Sequence, residues 1–71
     1  MRHSETQRLL AESYRLLGQP ERAIGAAQGA TESDPNNTGA RATLGRLYLD
    51  QGRDAEAVVE LERVPGAALE P

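Results

Sequence analysis

The chain contains no cysteine, tryptophan or phenylalanine, and Tyr14 and Tyr48 are its only aromatic side chains. Without cysteine, neither a disulfide nor a thiolate metal site can reinforce the fold, and the redox compartment is left open. Lysine is also missing. The eight basic residues are all arginine, a usage that hints at a GC-rich, bacterial genome, and they are scattered among eleven acids for a net charge of -3. Nucleic-acid affinity comes mostly from neutralising phosphates, so an acidic chain with no basic stripe and no aromatic stacking platform is not expected to bind DNA or RNA. No apolar run approaches the roughly 20 residues that cross a bilayer, and the opening "MRHSETQRLL" lacks the apolar stretch of a secretory signal. No membrane insertion is expected, and a soluble, cytoplasmic location is the default.

A chain of 71 residues forms one small domain that buries only about 60% of the surface its unfolded form exposes. Abundant Ala, Leu, Glu and Arg favour helix, because these side chains lose little rotamer freedom there. The chain also repeats itself. At an offset of 34, Leu10 pairs with Leu44, Ala11 with Gly45, Tyr14 with Tyr48, Gly18 with Gly52, Ala23 with Ala57 and Ala30 with Val64. Such a period marks a stacked supersecondary unit.

In the second copy, Ala40, Leu44, Leu47, Tyr48 and Gln51 fall on one helical face. Asn37 or Thr38 can cap its start with a side-chain oxygen, and Gly52 can end it at positive φ. Ala57, Val58, Leu61 and Val64 make a second stripe, with Asp54 placed to begin it, so the hairpin is expected over about 38–51 and 54–64. In the first copy Thr6, Leu10, Ser13, Tyr14 and Leu17 make one face, Gly18 closes it, and Pro20 sits where a helix can start without wasting an amide. Ala23, Ile24, Ala27 and Ala30 follow. "SDPNN" at 33–37 then breaks the chain, because a residue before proline is pushed out of the helical region. The expected fold is all-α, with two stacked antiparallel helical hairpins.

These residues resemble two tetratricopeptide repeats, a family with a period of about 34 residues and a Trp, Leu-Gly, Tyr, Ala, Phe, Pro order. Aligned to that order, repeat 1 (4–35) supplies Leu10, Ala11, Tyr14, Ala23, Ala27, Ala30 and Pro35. Repeat 2 (38–71) supplies Leu44, Gly45, Tyr48, Ala57, Leu61 and Val64. Small residues at 11 and 45, facing Ala23 and Ala57, would let the helices of each hairpin approach, with the tyrosines spanning the contact and leaving a polar tip for water. The Trp position is Gln7 in one repeat and Arg41 in the other. Ala27 replaces a bulky residue, which predicts loose packing in the first repeat. Pro65 and Gly66 are expected to end the last helix early.

Catalytic chemistry finds little purchase. His3 is the only histidine and lies near the N-terminus, where a solvated role is expected. Ser4, Ser13 and Ser33 have no second histidine or buried acid pattern to activate them. Gly18 and Gly52 stand alone at helix ends rather than in a phosphate loop, and "DPNNTG" lacks the alternating acids of a calcium loop. The reading is no enzyme, with no catalytic, cofactor-binding or metal residue and no cofactor.

The resemblance implies a protein–protein interaction module, expected to be part of a longer repeat array, whose first helices line a concave groove for a protein or peptide partner. Groove positions would then be Glu5, Arg8, Glu12 and Arg15, with Gly39, Ala42, Arg46 and Leu49 from the second repeat and Asn36 and Asn37 at the edge. The four charges of the first helix can also pair among themselves as a solvated face. Some members of the family clamp an acidic C-terminal tail with Lys and Asn. Here Arg8 could take the first clamp position, but Glu12 and Thr43 stand where the clamp has Asn, and a negative charge there repels a carboxylate. An extended or helical peptide of mixed charge with a small apolar anchor fits better. Alternatives are a structural spacer or self-association element, and an accessory domain of an enzyme complex. For self-association, Val58, Leu61 and Val64 form an apolar end that an isologous homodimer would cover.

Overall fold

The computed structural model describes residues 3–63, and within them the chain is all-α. Four helices follow one another: α1 (His3–Leu16), α2 (Pro20–Ser33), α3 (Thr38–Asp50) and α4 (Asp54–Glu62). α1 and α2 form one hairpin, α3 and α4 another, and α3 also lies along both α2 and α1. Val64, Pro65 and Gly66, on which the expected end of the last helix rests, lie outside the described residues.

The helix ends follow from single residues. Gly18 and Gly52 adopt φ of 75° and 74°, the left-handed region open to glycine at little cost. Each then builds the same closure. The Gly18 amide donates to the Arg15 carbonyl at 3.1 Å and Gln19 to Tyr14 at 2.9 Å, while Gly52 donates to Leu49 at 3.0 Å and Arg53 to Tyr48 at 2.8 Å. These paired bonds satisfy carbonyls that the ending helix leaves without partners. Pro20 opens α2 at its first turn, and the Asn37 side chain, rather than Thr38, caps α3 by accepting from the Ala40 amide at 3.0 Å.

One apolar cluster joins all four helices: Ala11 from α1, Ala23, Ile24 and Ala27 from α2, Leu44, Leu47 and Tyr48 from α3, and Ala57 from α4. The expected faces of α2 and α3 are therefore the buried ones, except for Gln51, which is exposed. Of the expected face of α1, Tyr14 is half-buried and packs against this cluster, and the rest is not covered. Thr6, Leu10, Ser13 and Leu17 are exposed, and the buried positions are Ser4 and Ala11. α1 is covered on two sides, by α2 and α3, whereas α3 has α1, α2 and α4 around it. Counterpart positions on the two helices thus meet solvent in one case and protein in the other.

Within the second hairpin the close approach is between Gly45 and Leu61. A Cβ placed on Gly45 would lie 2.8 Å from Leu61 Cγ and Cδ2. The counterparts of this pair are Ala11 and Ala27, both fully buried. A small residue against a large one in one hairpin replaces two small ones in the other. The Trp positions are filled by polar links: Gln7 Oε1 accepts from Ser33 Oγ at 3.1 Å, and Arg41 donates to the Pro35 carbonyl at 3.0 Å and to Glu60 at 3.3 Å. The Tyr48 hydroxyl accepts from Gln28 Nε2 at 3.0 Å, so its tip is held by protein rather than left to water. Arg53 lies over its ring, 4.9 Å from the centroid, within the range of a favourable cation–π contact.

Candidate partner-binding surface

The side chains expected to line a groove come from α1 and α3, and contacts between these helices bring many of them together. Helical spacing of three and four sets Glu5, Arg8, Glu12 and Arg15 along one strip of α1. They pair as two couples: Arg8 Nε donates to Glu5 at 3.0 Å, and Arg15 donates to Glu12 at 3.0 and 3.1 Å. From α3 and its lead-in, Asn37 Nδ2 reaches Glu5 Oε1 at 3.4 Å and Thr43 Oγ1 donates to Glu12 Oε2 at 3.1 Å. Gly39 leaves room for Arg8, since a Cβ there would come within 3.3 Å of Arg8 Cδ. The two positions where a carboxylate clamp carries Asn, Glu12 and Thr43, are therefore bonded to each other.

The electrostatics follow from this network. Burial by itself would raise the Glu12 carboxyl, but hydrogen bonds from Arg15 and Thr43 and the charges of Arg15 and Arg46 outweigh it and hold the group below its ordinary value. The hydrogen bond to Glu5 raises Arg8 and keeps it charged. Arg46 is exposed and makes no ion pair of its own among the described residues. One turn further along α3, Leu49 is 49% exposed. Ala42 is half-buried, and Asn36, exposed in the α2–α3 turn, donates its amide to Asp34 at 3.0 Å.

Ser4 has a role that residue type alone does not announce. Its hydroxyl donates to the Ala30 carbonyl at 2.7 Å and accepts from Asn37 Nδ2 at 2.9 Å, tying the start of α1 to the end of α2 and the start of α3. A spacing signal exists, since Ser4 stands 34 residues before Thr38 at the start of α3, but only contact with a following helix converts it into a buried bond. Beside it, a polar depression is lined by His3, Glu5, Asp34, Asn36 and Asn37 among others. No group of three or more His, Cys, Asp or Glu among the described residues is arranged to hold a metal ion.

The expected self-association residues have separate surroundings. Val58 is 50% exposed, Leu61 is half-buried over Gly45, and Val64 lies outside the described residues. Among the described residues no helix is long and apolar enough to cross a membrane.

The family model described as Tetratricopeptide repeat matches residues 14–71. No curated protein and no solved structure matches the chain.

Proposed function

Because the chain belongs to the tetratricopeptide repeat family, whose members generally mediate protein–protein interaction and are typically non-catalytic, we propose that the α1/α3 surface binds a peptide segment of a partner. The observation that carries this reading is the pairing of Arg46, exposed and outside the ion pairs, with a half-exposed Leu49 one turn away. Beside them Glu5, Arg8, Glu12 and Arg15 neutralise one another, so among the described residues the surface offers Arg46 as a cation outside the ion pairs, Leu49 as an apolar contact and a row of balanced dipoles. A peptide of mixed charge, with an acid opposite Arg46 and a small apolar anchor on Leu49, matches that chemistry. An acidic tail clamped by its carboxylates does not, because Glu12 keeps its negative charge where the tail would sit.

The test is selection of short peptides from a random display library on the 71-residue chain, followed by binding titrations with Arg46→Glu/Leu49→Asp. Surface changes of this kind shift stability by no more than about 0.5 kcal/mol, so helical signal and melting temperature should hold while affinity falls at least about tenfold, the equivalent of 1.4 kcal/mol. Selected peptides that bind the double variant as tightly as the wild type would overturn the groove reading. A self-association role is the second reading, favoured by apolar side chains exposed on α1 and α4; the expected isologous homodimer through Val58, Leu61 and Val64 belongs to it.

A further inference from the structure

α1 and α3 are counterparts in the 34-residue repeat, but their outer faces are covered differently. On α3, Ala40, Thr43, Leu44 and Leu47 are buried, and α2 packs along this helix. Their counterparts on α1, Thr6, Leu9, Leu10 and Ser13, are exposed, and Leu16 and Leu17 lengthen the apolar strip by another turn. The second helices show the same contrast. Ile24 on α2 is buried in the cluster shared with Leu44 and Leu47, whereas its counterpart Val58 on α4 is 50% exposed. Gln28, which holds the Tyr48 hydroxyl, corresponds to Glu62. The α2–α3 junction is thus a completed interface, and both of its halves recur uncovered, one on α4 and the other on α1.

We propose that the chain associates head to tail, the outer face of α4 in one copy seating on the outer face of α1 in the next as α2 seats on α3. A second copy is the fitting occupant because the complement of each open face is carried by the same chain at its other end. Leu10 repeats Leu44 and Tyr14 repeats Tyr48, so the receiving face keeps these two residues, with Ser13 in the place of Leu47. On the entering face, Val58 takes the place of Ile24, and Glu62 can accept from the Tyr14 hydroxyl where Gln28 donates to Tyr48. Such a contact joins two different surfaces and continues the stack without closing it, so assembly grows by addition at either end. An isologous pair through α4 would cover Val58 twice and leave Leu9, Leu10, Leu16 and Leu17 in water. This inference does not depend on the peptide-binding proposal, since Leu10 and Val58 are separate from the Arg46 and Leu49 pair that carries that reading.

Sedimentation equilibrium of the 71-residue chain, carried to about 1 mM because a two-helix junction is at the small, weak end of interfaces, should show a weight-average mass that climbs past the dimer. Leu10→Glu removes the receiving face and Val58→Lys the entering face, so each variant alone should be monomeric. An equimolar mixture should form a one-to-one dimer that grows no further, because one intact junction remains between the two variants. A monomeric wild type at that concentration overturns the proposal, as does a mixture that stays monomeric. So does a Leu10→Glu variant that dimerises as well as the wild type while Val58→Lys does not, the pattern of an isologous α4 pair. Circular dichroism checks that each variant stays helical, and Leu9→Glu, on the same exposed face, replaces Leu10→Glu if that one loses helix.

Discussion

Gly45 lies beneath Leu61, and the 2.8 Å between its missing Cβ and the leucine side chain leaves no room for growth. Gly45→Leu should cost about 2 to 3 kcal/mol in denaturant unfolding, by overpacking a core that cannot open cheaply. The counterparts Ala11 and Ala27 supply a finer check. Gly45→Ala together with Leu61→Ala reproduces the first hairpin's pair, so the double variant should be less destabilised than the two single effects added together, a coupling that a double-mutant cycle reads directly. Glu56, exposed beside Arg53, and Glu12, between α1 and α3, are both held below the ordinary carboxyl value, and Glu12 is the less exposed of the two. Its carboxyl sits below its ordinary value in the folded chain, so it contributes stability at neutral pH that is lost as pH falls from the unfolded value of about 4.3 through the lower folded one. Glu12→Gln should therefore flatten the acid limb of melting temperature against pH while leaving the neutral limb nearly level.

The helices themselves are held at their ends. Both first helices close on a glycine at positive φ with the preceding tyrosine carbonyl accepting across the turn, and α3 starts on Asn37, whose Oδ1 accepts from Ala40 while its Nδ2 reaches Ser4. Asn37→Ala loses a cap and a link between helices, and should cost about 1 to 2 kcal/mol in chemical denaturation. Asn37→Asp keeps the acceptor but loses the amide donor and sets a carboxylate beside Glu5, so it should recover part of that loss and no more. Gly18, Gly52 and Asn37 were legible as helix ends in the sequence because each acts within a few residues of itself. The burial of Ser4 was not, since it depends on Ala30 and Asn37, 26 and 33 residues away.

Over the whole molecule the apolar cluster runs through all four helices, and α3 touches each of the others. The two hairpins should consequently unfold as one unit, as small single domains usually do. Tyr48→Ala, at a buried position hydrogen-bonded to α2 and stacked by Arg53, should cost about 3 kcal/mol. It should lower a single melting transition rather than split it in two. A biphasic melt would mean that the hairpins are held by their own contacts and not by the shared cluster.

The sequence by itself determined the repeat, the four helices, their stops, and the inward faces of α2 and α3, because periodicity and capping are written in residues close along the chain. It also placed Glu5, Arg8, Glu12 and Arg15 on one strip of α1, where they pair. Only the tertiary structure decided that Leu10 and Leu17 would stand in water while Leu44 is enclosed, that Leu61 would lie over Gly45, and that the Tyr48 hydroxyl would meet Gln28. A periodic pattern records which side chains share a face. Whether that face is covered depends on how many neighbours surround the helix, and the same motif has three around α3 and two around α1.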